Sequence, residues 1–290
     1  MQNTHVQRRI DFARQLANSI LAFDGIQAIV IAGSVARGYA DAYSDIEIPI
    51  FWETLPDDAT RHAIVSALHA EFLYAYDGPA CEDQLLIDGL QVDLWHVTLA
   101  HQEEVLHAVL REQKFDMGGL NALDTIRFCI PLYGDEIVQG WKRRAQEYPD
   151  ELAKKIIQEH LGSFSVSSLF ILAQRDNPTG FYAQLSFLQQ EIFLVLLALN
   201  RKYFPTFKWL YQALESMQVK PDDIYLRFRQ AYKVSYAEAT ANTKLLLEET
   251  LHLVEGQFPQ LDTALVHRCL HYVRTTHFKQ VDHSTKGFEQ

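Results

Sequence analysis

Cysteine is scarce in this chain. Its three cysteines, Cys81, Cys129 and Cys269, are scattered and have no CxxC spacing. The sequence therefore predicts neither a disulfide framework nor a zinc site. Sparse, unpaired cysteine is typical of a reduced protein, and we expect a cytoplasmic location.

Long apolar runs are also lacking. No stretch approaches the roughly 18 uninterrupted apolar residues that a membrane span needs, and the longest candidate, residues 192–199, runs into Asn200 and two basic residues. The first residues show no signal-peptide pattern. We therefore expect a protein without membrane association.

Basic residues are outnumbered by acidic ones, 26 to 37, which gives a net charge of −11. A protein that grips a polynucleotide normally carries a basic stripe, whereas the one compact basic cluster here is residues 142–144. We therefore expect no nucleic-acid partner. The acidic balance favours a small cationic partner through attraction, although ordinary solubility charge would give the same balance. The oligomeric state is left open.

The hydrophobic periodicity changes along the chain. Strand-like and helical segments alternate at first, and only helical periods follow Pro149. We predict two domains, residues 1–140 and 141–290. The helices expected in the first domain are residues 8–23, 56–72 and 99–114. Those expected in the second are residues 151–174 with an interruption near Gly162, 181–203 after a connector at 176–180, 206–217, 222–255 with a break, and 260–274, before a tail at 282–290.

The most informative segment begins at a Gly-Ser turn. The apolar run 26–32 has strand composition and ends at Gly33 and Ser34, which can open a helix. Free backbone N–H groups at such a turn point toward an anion. A turn of this kind is usually only a turn, but it would suit the phosphates of a nucleotide.

Three carboxylates follow at strand spacing. Asp45 and Glu47 alternate around Ile46, so both are predicted to lie on one face of a strand. Asp93 lies in the second strand of a hairpin that turns at Asp88 and Gly89. An Asp-x-Glu pair alone is usually the solvated face of an edge strand. Three acidic groups on one face can hold two Mg²⁺ ions.

Together these motifs resemble a known family. Gly33-Ser34, then Asp45-x-Glu47, then Asp93 on a later strand is the pattern of the DNA polymerase β-like nucleotidyltransferase superfamily. The sequence of residues 33–47 is most similar to that of the kanamycin-type aminoglycoside nucleotidyltransferases. This resemblance implies an α/β (α+β) nucleotidyltransferase domain with a mixed sheet, followed by an all-α helical bundle that closes over one side of the sheet. It also implies two Mg²⁺ ions and a nucleoside triphosphate.

Further nucleotide contacts are expected from three polar residues. Arg37 would pair with a phosphate, with a surface salt bridge as the alternative, and Ser44 precedes the first carboxylate. Lys208 follows a proline break, and the resemblance implies that it reaches the triphosphate from the second domain. A solvated lysine beside Trp209 is the alternative.

The base that activates the acceptor is less clearly indicated. Kanamycin-type enzymes carry a Glu and a Lys four residues apart on the first helix of their second domain, and only Glu151 and Lys155 have that spacing there. These two residues would equally form a solvated ion pair. Glu159 and His160 are other candidates, and we favour Asp93. His96 should lie on the opposite strand face, as a core or surface residue.

The resulting prediction is a nucleotidyltransferase. Asp45 and Glu47 would hold both metal ions, Asp93 would hold the one nearest the nucleophile, and Gly33 and Ser34 would bind phosphates. The acceptor would be a small-molecule hydroxyl, with a cationic antibiotic as the leading expectation. The alternatives are transfer to a protein side chain and a catalytically silent binding or antitoxin-type module.

Overall fold

A six-stranded mixed sheet organises the first part of the structure, a computed structural model that describes residues 4–76 and 81–272. The strand order is β3-β4-β5-β2-β1-β6. Strands β2 and β5 run parallel, and the other neighbouring pairs are antiparallel. The strands are β1 Ile26–Ile31, β2 Ile46–Trp52, β3 Glu71–Tyr76, β4 Cys81–Ile87, β5 Leu90–Thr98 and β6 Ile130–Tyr133.

The other regular elements of the described chain are helices. Seven of them begin before residue 160: α1 Thr4–Ile20, α2 Gly33–Ala36, α3 Asp58–Ala67, α4 Leu99–Leu110, α5 Met117–Phe128, α6 Asp135–Gln146 and α7 Asp150–Leu161. The later ones are α8 Ser167–Gln174, α9 Pro178–Leu199, α10 Leu210–Glu215, α11 Ile224–Gln230, α12 Tyr236–Gln257 and α13 Ala264–His271, with a 3₁₀ turn at Phe207–Trp209. The predicted fold class, a mixed α/β sheet followed by a helical region, is confirmed.

The chain divides into two units. The first unit contains Met1–Ile156 together with Leu197–Ala213, and the second contains Ile157–Leu196 together with Leu214–Gln290. The sequence-based boundary at residue 140 does not include this return of Leu197–Ala213 to the first unit. Lys208 therefore belongs to the same unit as the sheet.

Alternation along β2 separates the two faces of the sheet. Ile46, Ile48 and Ile50 are completely buried and pack into one core with residues of α1 and α3. Since successive side chains of a strand point to opposite faces, Glu47 and Phe51 point to the other face, where Phe51 contacts Trp141 of α6. One face of the sheet is thus core, and the other carries the predicted carboxylates.

Local signals explain which elements were predicted correctly. The hairpin between β4 and β5 turns at Asp88 and Gly89, which have left-handed φ values of 52° and 80°, as a two-residue turn of this kind requires. The predicted helix 56–72 ends earlier, at Ala67, because His69 takes a left-handed φ of 50° that terminates the helix. Its last predicted residue, Phe72, lies in the edge strand β3.

Other differences from the predicted elements are smaller. The strand β6 was not predicted. The predicted connector 176–180 contributes to α9, which begins at Pro178 because the fixed φ of proline suits the first helical position. The interruption near Gly162 is confirmed between α7 and α8. The predicted tail 282–290 lies outside the described residues.

One described helix, α9, is long and apolar enough to cross a membrane by length and composition. Within its most apolar window, 67% is buried. Helices that are hydrophobic on all sides are typical of a protein core as well as of a membrane span. Length and composition are therefore weak evidence for a span.

Candidate functional site

The Gly-Ser turn is packed directly against the carboxylate of Glu47. The backbone N–H of Ala32, which follows β1, donates to the carbonyl of Glu47 at 2.9 Å. Gly33 has a φ of +58°, and a Cβ at this position would lie 1.1 Å from Oε2 of Glu47. A larger residue at this position would be strained and would displace the carboxylate.

Ser34 presents an unpartnered hydroxyl at the same turn. Its side chain is buried, and its Oγ has no hydrogen-bond partner among the described residues. The helix α2 that begins here has only four residues. A macrodipole comes from many aligned peptides, so the anion-binding capacity of this turn depends on local N–H and O–H groups. A buried donor without a partner is costly unless a ligand completes it.

Glu47 and Asp93 lie side by side on neighbouring strands. They are register partners in the parallel pair β2 and β5, so their side chains extend from the same face of the sheet. Asp45 precedes β2 by one residue, and its charge raises the pKa of both other carboxyls. The structure therefore brings the three predicted carboxylates into one electrostatically coupled group.

Burial changes the acidity of two of these carboxyls. It raises the pKa of Glu47 above its usual value, partly offset by the positive charge of Lys208. It raises the pKa of Asp93 to about 6, against a hydrogen bond from Gln91 Nε2 to its Oδ1 at 3.0 Å. Both shifts mean that a negative charge at this face is poorly compensated, and a bound cation would relieve it.

Lys208 forms a long ion pair with Glu47. Its Nζ is 4.0 Å from Oε1 of Glu47, and its side chain is 54% exposed. The 3₁₀ turn that carries it is anchored by Trp209, whose ring contacts that of Tyr39 at 5.4 Å. Lys208 therefore stands at the edge of the carboxylate group with its ammonium accessible to a ligand.

Arg37 and Ser44 have structural partners instead of open positions. The guanidinium of Arg37 donates through Nε and Nη2 to Asp124 of α5, and both side chains are buried. This geometry does not favour a phosphate contact. The alternative expectation was a salt bridge at the surface, but the ion pair that Arg37 forms is buried. The Ser44 hydroxyl bonds with Asp41, and its carbonyl accepts two N–H groups from Arg9.

The described residues hold no group of three or more His, Cys, Asp or Glu side chains arranged to hold a metal ion. The three predicted ligands share a face without forming a closed cage. Mg²⁺ is commonly bound by one or two carboxylates together with substrate phosphates and waters, and it seldom occupies an all-protein cage. The residues present fit that mode of binding.

The other candidates for the acceptor base lie elsewhere. Glu151 pairs with Lys154, so the predicted Glu151–Lys155 ion pair is wrong. Lys155 turns instead toward backbone carbonyls of residues 112 and 113. His160 contacts Glu191 in the interior of the second unit. Glu151 and His160 therefore each have a side-chain partner of their own.

His96 lies on the opposite face from Asp93, as predicted, and is fully buried. The indole Nε1 of Trp52 donates to its Nδ1 at 3.1 Å. Because an indole N–H only donates, Nε2 of His96 carries the proton and donates to Asp83 at 3.1 Å. Asp83 also binds Arg61, so this network fastens α3 to the core face.

Sequence reasoning missed two residues that support the site. Arg9 holds the loop before Asp45, and Asp124 holds Arg37. A signal for Arg9 was present, since it lies on the same helical stripe as Ala13, Leu16 and Ile20. A charge on an apolar stripe indicates a buried partner. No spacing rule connects Arg37 with a residue 87 positions away.

Comparison with known proteins adds little to this geometry. Residues 132–210 match a family described as a domain of unknown function, DUF4037. No curated protein matches the chain. Among solved structures, the chain is similar to a nucleotidyltransferase-like protein from Exiguobacterium sibiricum 255-15, with 12% identity, coverage of 89% of this chain and 78% of that chain, and a TM-score of 0.41. The function therefore has to be argued from the site.

Proposed function

We propose that this chain is a Mg²⁺-dependent nucleotidyltransferase that moves a nucleoside monophosphate from a nucleoside triphosphate to a hydroxyl of a small molecule and releases pyrophosphate. One observation carries this proposal. Glu47 packs against the glycine turn, lies in register with Asp93, and has Lys208 at 4.0 Å. A glycine turn with a free hydroxyl, paired carboxylates and a cation are parts that phosphoryl transfer uses.

Each of these groups has a role that its surroundings support. Asp45, Glu47 and Asp93 would hold Mg²⁺, which would neutralise phosphate charge and align the reacting groups when bound. The unpartnered hydroxyl of Ser34 would donate to a phosphate oxygen. The ammonium of Lys208 would pair with the phosphates that leave.

Asp93 would also remove the proton from the acceptor hydroxyl. Its carboxylate lies on the same sheet face as Glu47, where an acceptor hydroxyl would approach the reacting phosphate. Gln91 donates to its Oδ1 at 3.0 Å and fixes the orientation of the carboxylate. The same carboxyl would thus orient the acceptor and accept its proton.

Ligand-induced stabilisation tests this assignment without knowledge of the acceptor. Each of the four ribonucleoside triphosphates is added with Mg²⁺ or with EDTA, and the melting temperature is measured. A nucleotide at a hundred times its Kd stabilises the fold by about 2.7 kcal/mol. We expect at least one nucleotide to raise the melting temperature when Mg²⁺ is present. This increase should be absent in Asp45→Asn.

The matched control is Asp58→Asn, which removes a carboxylate that is 89% exposed and belongs to α3. This variant should respond like the parent. If no nucleotide shifts the melting temperature of the parent, or if Asp45→Asn still responds fully, the proposed site is wrong.

A further inference from the structure

A pocket of about 560 Å³ opens on the same sheet face as the carboxylates, entirely within the first unit. Pro49 and Phe51 of β2 and Trp95 and Val97 of β5 form its floor. These residues follow Glu47 and Asp93 at even spacing. Because a strand rises about 3.3 Å per residue, the floor begins about 7 Å along the strands from the two carboxylates.

The walls of this pocket are mostly apolar. They come from α4, α5 and the segment between them, and include Val105, Val109, Ala122 and Ile126. The ionisable side chains of the walls are His101, Lys114 and Asp116. Lys114 forms an ion pair with Glu112 at 2.7 Å, and Asp116 caps α5 by accepting from the N–H of Gly119 at 2.7 Å. Lys114 and Asp116 therefore already have partners.

Two buried hydrogen-bond donors of the lining have no partner among the described residues. They are Nε1 of Trp95 and Nε2 of Gln102. Gln102 is only 5% exposed. Nearly all buried polar groups in native proteins are paired, so two orphaned donors in one apolar pocket need an explanation. An oxygen of a bound molecule that reaches either donor would supply the missing partner.

We propose that this pocket binds the acceptor substrate, an apolar molecule of aromatic or alicyclic size that carries a carbonyl or ether oxygen, and this rests on the proposed function. Pockets of about 300–1,000 Å³ lined by apolar groups with a few placed donors are typical of such ligands. The net negative charge of the chain favours a cationic acceptor, but this lining offers a polycation little compensation. The hydroxyl of the acceptor would extend along the strands toward Asp93.

The test uses two matched probes, 1-tetralone and tetralin, which differ by one carbonyl oxygen. Binding to the full chain is measured by equilibrium dialysis, without nucleotide or metal. We expect tetralone to bind more tightly than tetralin. Gln102→Leu nearly keeps the volume and removes one donor, so it should weaken tetralone binding about fivefold and leave tetralin binding unchanged. Trp95→Phe removes a donor and also part of the ring, so it should weaken the binding of both probes, and that of tetralone more.

The matched control is Thr240→Val, which removes another buried, unpartnered polar group but lies in α12 of the second unit. It should bind both probes like the parent. Equal binding of the two probes to the parent, or equal loss of both in Gln102→Leu, would overturn the pocket assignment.

A competition experiment separates the acceptor from the nucleotide. Saturating Mg-ATP should leave tetralone bound to the parent. Displacement of tetralone would assign the pocket to the nucleobase and overturn its role as the acceptor site. Because the dialysis needs no nucleotide, failure of every nucleotide to stabilise the chain would refute the proposed transfer and leave the probe result standing.

Discussion

Gly33 and Glu47 are in direct contact, so a side chain on Gly33 would overlap the carboxylate of Glu47. A Cβ on Gly33 would lie 1.1 Å from Oε2 and 2.3 Å from Cδ of Glu47. The turn and the carboxylate are thus one structural unit. A side chain added to the turn at Gly33 would displace the carboxylate, so a substitution there also alters the carboxylate group.

Gly33→Ala should therefore abolish nucleotide-dependent stabilisation. The new methyl group would displace the carboxylate of Glu47, and the left-handed φ of +58° adds roughly 1–2 kcal/mol of backbone strain. The measurement is the melting temperature with and without Mg-nucleotide.

Gly38→Ala is the matched control for this prediction. Gly38 also has a left-handed φ, +76°, but no atom of the described residues lies within 4 Å of the position that a methyl group would take there. This variant should lose similar stability and keep the nucleotide response. If both variants lose the response, strain alone is responsible, and the contact with Glu47 has no role in binding.

The buried pair of Arg37 and Asp124 makes a second prediction. Arg37→Met should destabilise the fold by about 3–5 kcal/mol because it leaves the carboxylate of Asp124 buried without its partner. Asp124→Leu should cost a similar amount, and the double variant should cost much less than the sum. Urea unfolding of the parent and the three variants measures these free energies.

A phosphate-binding role for Arg37 would give a different pattern. Arg37→Met would then weaken nucleotide binding with little change in the free energy of unfolding, and the effects of the two substitutions would be additive. Additivity would contradict the structural role of this pair.

Local chemistry determined how much of the fold was predictable. The hairpin at Asp88 and Gly89 and the shared face of Glu47 and Asp93 follow from turn residues and alternation, which act over a few positions. The edge strand that contains Phe72 is not recognisable from its sequence, because its exposed aromatic residues show no clean alternation. Its identity depends on pairing with β4, which the local sequence does not encode.

The candidate site was predictable in its acidic residues and less so in its basic ones. Asp45, Glu47 and Asp93 stand out because carboxylates are rare in apolar strands. Arg37 resembles a phosphate ligand in the sequence because its actual partner, Asp124, is 87 residues away. Lys208 reaches Glu47 only because residues 197–213 return to the first unit. The pocket near Trp95 depends on how α4 and α5 pack, which no motif indicates.

Asp83 predicts how stability depends on pH. Burial alone would raise the pKa of its carboxyl, but hydrogen bonds from His96 and Arg61 outweigh burial and lower the pKa from 3.8 to about 2. The folded state therefore binds fewer protons at Asp83 than the unfolded state between these values. This carboxyl contributes about 2 kcal/mol above pH 4, and the contribution is lost as the pH falls toward 2.

Asp83→Asn should remove this dependence. The variant should be less stable than the parent at pH 6, because Arg61 remains buried without its charged partner, and the difference should shrink toward pH 2. The free energy of unfolding in urea between pH 2 and pH 6 checks both statements. Asp58→Asn, which removes an exposed carboxylate 3.7 Å from the same Arg61, should follow the parent's profile. A constant difference across this pH range would contradict the lowered pKa.

Lys208 gives the last prediction, which separates ligand binding from fold stability. Its ion pair with Glu47 is long, 4.0 Å, and half exposed, so Lys208→Ala should change the melting temperature very little. A charged hydrogen bond to phosphate contributes more, so the Kd of the Mg-nucleotide should rise about tenfold. Lys208→Arg should restore only part of this affinity, because a planar guanidinium does not reproduce a compact ammonium.

Calorimetric titration of the parent and the two Lys208 variants measures the Kd. The control is Lys244→Ala of α12, which loses an ion pair with Glu248. An unchanged Kd in Lys208→Ala would leave Lys208 as a solvated lysine beside Trp209, and the charge of the nucleotide would then have to be balanced by the carboxylate-bound cation and the Gly33 turn alone.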